Sequence, residues 1–304
     1  MTLPLAHFGG AFAPLELVPL TVAGLLYWKR ATTLAWEDRP VPGWRQACFG
    51  AGLATIAISL FSPIGHISEE LVIAHMAEHL LIGDVASLLL VLGLTRSLLQ
   101  PVLAIRALNR LQFLAHPAVA LPLWALNLFV WHIPALYQDA YGAAPIHAFE
   151  HATFLFFGCL MWMPAFGPLP KPAWFGAAWK VAYVIAVRFT GAILGNVLMW
   201  SGSVLYPIYA TGERYWGISP IADQSTAGVV MMVEGTFLVL GVLAWVFFEV
   251  AREGTEKQRL LDLAQERGVA LDERRAQRAV AAGHGALLEE RLRAGADGHE
   301  LDRV

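Results

Sequence analysis

The sequence predicts an all-α fold: a polytopic bundle of seven transmembrane helices over residues 1–250, followed by a charged helical tail over 251–304. Three observations carry this reading. Hydrophobic residues make up 57% of the chain, charged residues only 15%, and the mean hydropathy is +0.54. Soluble domains average about 25% charged residues, so soluble, disordered and collagen-like classes are excluded. Charge is also segregated, with 10 Lys/Arg and 11 Asp/Glu in 251–304 and only 24 charges before them. Finally, the apolar runs are continuous and lack period-2 alternation, which in a bilayer favours helices over a barrel.

A span needs about 20 mostly apolar residues. The first candidate, 15–27, is the shortest, and Lys29, Arg30, Arg39 and Arg45 follow it. The second, 44–61, leads to a stretch at 62–68 without Lys or Arg. The third, 69–93, is followed by Arg96, Arg106 and Arg110, and the fourth, 117–133, by a Lys/Arg-free connection at 134–145. The fifth, 146–166, precedes Lys171, with Lys180 just inside the sixth, 177–200. Only Arg214 interrupts 201–221 before the seventh, 222–250. Lys and Arg thus alternate with loop parity. The positive-inside rule then predicts an outer N-terminus and a cytoplasmic C-terminus.

Residues 1–14 contain no Lys or Arg, so the positive start of a cleavable signal peptide is missing. The net charge of −3 gives no reason to invoke nucleic acid. Cys48 and Cys159 lie in apolar runs outside any C-x-x-C, which argues against a disulfide or thiolate cluster. In the tail, Leu260, Leu261, Leu263, Leu287, Leu288 and Leu292 recur among alternating charges. They predict one or two solvated amphipathic helices, with breaks at Gly283, Gly285, Gly295 and Gly298.

The histidines are unevenly placed. On this topology His66, His75, His79, His132, His147 and His151 lie at the outer surface or in the outer half of the membrane. His116 is cytoplasmic, His7 belongs to the outer N-terminal segment, and His284 and His299 to the tail. Two pairs share one pattern: His75-Met-Ala-Glu78-His79 and His147-Ala-Phe-Glu150-His151, each an H-x-x-E-H opening an inward-running span. Residues i and i+4 share a helix face, about 5–6 Å apart, so each pair can grip one metal ion. Two facing pairs can supply four imidazoles, with His132 as a further ligand or close neighbour. Membrane histidines can also simply hydrogen-bond across helices, but polar groups at this depth are costly and point to function.

Imidazole suits zinc, copper, iron and nickel. Met76, Met199, Met231 and Met232 are read mainly as packing, and Met76 points about 100° away from His75 around its helix. Ligand type therefore leaves copper and zinc both open. Glu78 and Glu150 have three available uses: ligand, general base, or acceptor for an imidazole N–H, the last being common around metal-bound histidine. Asp84, Arg188 and Glu234 fall near mid-membrane, where charges usually pair; an Arg188–Glu234 ion pair with Asp84 nearby is expected. Asp223 opens the seventh span, where a carboxylate caps a helix N-terminus or supports the metal ligands.

Five stretches carry a family resemblance: His75-Met-Ala-Glu-His79-Leu-Leu, Trp131-His-Ile-Pro-Ala-Leu-Tyr137, His147-Ala-Phe-Glu-His151-Ala-Thr-Phe154, Leu205-Tyr-Pro-Ile-Tyr209 and Asp223-Gln-Ser-Thr-Ala-Gly228. Over roughly 15–250 the chain resembles the CtaG-type cytochrome c oxidase assembly factors, a bacterial family of seven-span membrane proteins. The resemblance implies residence in the bacterial inner membrane and a haem–copper oxidase subunit, or its assembly partners, as the partner. It also implies copper handling on the outer side. The leading expectation is a metallochaperone or assembly factor that binds and hands over without turnover. An intramembrane zinc metallohydrolase is the first alternative, because H-x-x-E-H also occurs in inverzincins, although one catalytic zinc needs only one such helix. A haem or di-metal redox protein is the second.

Overall fold

The computed structural model describes residues 14–172, 174–281 and 284–294. The expectations for His7, Gly283, Gly295, Gly298 and His299 lie outside these residues. Among the described residues the fold is all-helical, without strands. A helix occupies each stretch the sequence marks as a span: α1 (Pro14–Trp36), α2 (Gly43–Phe61), the run from α4 (Val72–Leu80) to α5 (Ser87–Gly93), α8 (Pro117–Trp131), α10 (Ala144–Phe166), α11 (Ala177–Trp200) and α13 (Pro220–Glu266). Three of these are long and apolar enough to cross a membrane: Val72–Gly93, Ala177–Trp200 and Pro220–Glu266. A fourth span results if α7 (Arg106–Arg110) with its 3₁₀ extension to Ala115 is joined to α8 across an 81° bend.

Short helices fill the connections: α3 (Pro63–Ile67) and α6 (Arg96–Leu103), then α9 (Pro134–Gly142) and α12 (Ala210–Trp216). Large apolar side chains such as Phe189, Trp200 and Phe237 face outward, the arrangement expected where lipid replaces water. The run Val72–Gly93 is the central element. Of its most apolar stretch 56% is buried in the protein, against 33% for α11. Between α4 and α5 it winds as a π-helical turn, Leu81–Ala86. Such turns are rare and frequent at functional sites.

Glycine sets how closely α10 approaches this turn. A Cβ on Gly158 would lie 1.9 Å from the Gly83 carbonyl oxygen and 2.8 Å from Ser87 Oγ. Only a residue without a side chain fits between the two backbones. Trp162 Nε1, one helical turn further along α10, donates to the Asp84 carbonyl at 3.1 Å. The two helices that carry the H-x-x-E-H motifs are thereby clamped together just C-terminal to the motifs.

Arg45 donates to the Leu92 and Leu94 carbonyls at 2.9 and 2.7 Å, and Tyr27 to the Gly93 carbonyl at 3.1 Å. The cation satisfies orphan carbonyls at the C-terminal end of α5 and complements its dipole. Arg45 therefore has a structural use beyond its value as a topology marker.

One compact unit extends to Val239 and a second runs from Leu240, a division inside α13 and before the 250/251 boundary expected from charge. In the second unit α13 ends at Glu266, where Gly268 at φ 66° turns the chain and Val269 N–H closes on the Ala264 carbonyl at 2.9 Å. Then follow α14 (Glu273–Ala281) and α15 (Gly285–Ala294). Leu260, Ala264, Ala279, Val280, Leu288 and Leu292 form one buried cluster, with Leu263 packed against it. Four of the leucines expected on solvated helices, Leu260, Leu263, Leu288 and Leu292, thus build a small core, while Leu287 stays exposed.

Candidate metal centre

The site begins with two local facts, the i,i+4 spacing on α4 and the same spacing on α10. The ring centroids of His75 and His79 are 4.3 Å apart, those of His147 and His151 4.2 Å. The tertiary fold then faces the pairs toward each other. His75 lies 5.4 Å from His147, and His79 lies 5.0 Å from His151 and 6.1 Å from His147. Four imidazoles converge between two helices.

Both carboxylates join them. One ligand atom from each of His75, His79, His147 and Glu150 lies within 4.8 Å of the others, and a second such group unites Glu78, His147 and His151. Glu150 Oε1 is 3.8 Å from His79 Nδ1. His75, Glu78 and Glu150 are each 2% exposed. Neither ring nitrogen of His75 and not the Nε2 of His79 makes a hydrogen bond. Buried imidazole nitrogens left without partners cost free energy. A bound cation would satisfy these atoms, and nitrogen with carboxylate oxygen suits zinc or copper.

His132 stands apart from these groups. Its Nδ1 lies 2.7 Å from the Leu128 carbonyl, and its Nε2 faces Met76 Sδ at 3.4 Å. Tyr206 O–H donates to its backbone carbonyl at 3.0 Å.

Asp223 does not touch the imidazoles. Its carboxylate accepts from the backbone N–H groups of Val72 at 2.7 Å and Ile73 at 3.0 Å. The helix it caps is α4, the helix of His75 and His79, whereas the sequence suggested its own helix. Leu71, at the N-cap position of α4, makes no side-chain cap bond, so a residue 150 positions away supplies the acceptor. Gln224 fastens the neighbouring connection: its Oε1 accepts from Leu205 N–H at 2.8 Å, and its Nε2 donates to the Ser203 carbonyl at 3.2 Å. Asp223 is thus the latch that ties the start of α13 to the start of α4, and Gln224 ties it to the 203–205 connection.

Two tyrosines cover His75, Tyr137 from α9 and Tyr209 from the 3₁₀ turn before α12. Tyr137 lies 5.0 Å and Tyr209 6.2 Å from its ring, and their hydroxyls meet at 2.9 Å. The residue chemistry gave no reason to single them out. Their presence in the Trp131–Tyr137 and Leu205–Tyr209 stretches was the available signal.

The charges at Asp84, Arg188 and Glu234 differ from expectation. Arg188 donates to the Met232 carbonyl at 2.6 Å and reaches Thr236 Oγ1 at 3.5 Å, with no ion pair to Glu234 within 4 Å. Its guanidinium lies across Gly235. The Met232–Gly235–Thr236 face of α13 therefore receives it, with Glu234 to one side. Asp84, Arg188 and Glu234 nevertheless line one cavity of about 70 Å³ together with His79, His132 and Met76.

An all-helical chain with membrane-length apolar helices and a buried imidazole–carboxylate cluster defines a helical membrane protein with a candidate metal centre. The chain belongs to the cytochrome c oxidase caa3 assembly factor family (Caa3_CtaG), whose model matches residues 22–253. No curated protein and no solved structure matches it. The matched region contains every histidine and carboxylate of the cluster and stops before most of the tail.

Proposed function

We propose that this chain binds copper through His75, His79, His147 and His151, with Glu78 and Glu150 beside them. In this reading it hands the ion on during assembly of a haem–copper oxidase. The observation that carries the reading is the convergence of both H-x-x-E-H motifs into one buried cluster inside a chain of an oxidase assembly family. Imidazoles bind the ion and the carboxylates hold or orient them. Tyr137 and Tyr209 limit water on one side. Copper is cargo here, so no turnover is required of these residues.

The same reading takes the chain to cross the bacterial inner membrane seven times. The N-terminus and the histidine cluster face outward and the tail faces the cytoplasm. The alternation of Lys and Arg with loop parity supports it, as does a helix at each of the seven stretches.

Protein purified without a histidine tag and analysed by mass spectrometry should carry copper. His75→Ala with His79→Ala should abolish it, and so should His147→Ala with His151→Ala. Full metal content after removal of both pairs would falsify the site. Glu78→Gln separates the zinc-hydrolase alternative: a general base would lose hydrolysis and keep its metal, whereas the binding role predicts weaker metal retention and no hydrolysis to lose.

A further inference from the structure

In the tautomer that its other contact requires, neutral His132 makes no hydrogen bond to Met76. The Leu128 carbonyl can only accept, so the His132 Nδ1 at 2.7 Å carries the proton. In the neutral imidazole, Nε2 then presents a lone pair. What it faces at 3.4 Å is a thioether sulfur, which has no hydrogen to give. Two electron-pair donors thus confront each other with nothing between them. His132 is 8% and Met76 2% exposed, so water does not separate them.

The ring is also held. Its Nδ1–H is anchored to the preceding turn of α8, and the Tyr206 hydroxyl fixes the His132 backbone. Both donor atoms belong to residues lining the cavity that also touches Met231, Asp84 and Glu234. The imidazole–carboxylate cluster uses neither His132 nor Met76. His79 belongs to that cluster and lines the cavity as well, so it stands between the two places.

We propose that Met76 Sδ and His132 Nε2 form a second, softer metal site, selective for a monovalent soft cation of the copper(I) or silver(I) type. Thioether ligands favour such ions, and a nitrogen–sulfur pair without thiolate discriminates against zinc and other harder divalent ions. The site does not require the four-imidazole cluster to bind metal. If both bind, the ion has two stations of different softness joined through His79.

Silver(I) is the probe, because it needs no reductant. Full-length protein in detergent is titrated with silver(I), and the loaded protein is examined by X-ray absorption for sulfur neighbours of the metal. The parent should show a sulfur neighbour. Met76→Leu conserves volume in the core, and should lose that neighbour and one equivalent of silver, or at least tenfold in affinity. Its zinc binding should be unchanged. His75→Ala/His79→Ala/His147→Ala/His151→Ala should lose zinc and keep the sulfur-bound silver. Silver without a sulfur neighbour in the parent, or an unchanged silver titration in Met76→Leu, overturns the second site. Either result leaves the imidazole cluster to stand or fall on its own zinc and copper content.

Discussion

Glu213 sits in an unbalanced setting. It is 1% exposed, and neither carboxylate oxygen makes a hydrogen bond. Burial, and next the charge of Asp223, push its carboxyl above the ordinary range. The folded chain therefore holds this proton more tightly than the unfolded chain does. The folded state is favoured below the ordinary carboxyl range, and that advantage is lost as pH rises through the raised folded value. Thermal unfolding should accordingly show stability falling from about pH 4 upward toward the raised value. In Glu213→Gln this part of the decline should vanish and the neutral-pH melting temperature should rise. Parallel pH profiles for the two proteins would show that the carboxyl is not strained. Asp223, ten positions on, differs in its partners: two backbone N–H groups of α4 donate to its carboxylate.

At the scale of elements, the approach of α10 to the π-helical turn decides whether the two histidine pairs meet. Gly158 is the closest point, and an added methyl there meets the Gly83 carbonyl. Gly158→Ala should cost about 1–3 kcal/mol as overpacking and, on the proposed metal role, lower metal content with it, since it forces apart the helices that carry the histidine pairs. Gly50, in α2, has nothing within 4 Å of an added Cβ. Gly50→Ala should therefore be neutral or stabilising by up to about 1 kcal/mol, the usual helix-propensity gain. Equal melting temperatures for the two variants would contradict the close approach. The latch at Asp223 acts on α4 from the other end. It fixes where α4 begins, and so the depth of His75 and His79, while the Gly158 contact fixes how near α10 lies.

For the whole molecule, orientation gives the cluster its biological meaning. Topology reporters fused after Arg252 and inserted within 62–68 should label opposite sides of the membrane, the first cytoplasmic and the second external. Labelling on the same side would overturn the outward location proposed for the histidines, and with it the proposed delivery to an externally reached oxidase site. The arginines behind this expectation also have structural partners. Arg45 caps α5, and Arg39 donates to Ser97 Oγ at 3.0 Å. In those two the positive-inside signal and the packing of helix ends are carried by the same side chains.

By itself the sequence determined the helical class, the positions of the helices and the two H-x-x-E-H histidine pairs. These are local properties: an apolar run of bilayer length must satisfy its own backbone, and i,i+4 spacing puts two side chains on one face whatever surrounds the helix. Only the tertiary structure decided which faces meet. It brought Glu78 and Glu150 to ligand distance, turned His132 toward Met76, assigned Asp223 to the start of α4 and laid Arg188 on a carbonyl beside Glu234. It also gathered the tail leucines into a core. The physical reason is that periodicity fixes directions around one helix axis but not the rotation, depth or separation of one axis against another. Here those are set by long-range contacts, Gly158 against Gly83 and Asp223 against Val72, that no local pattern in the chain encodes.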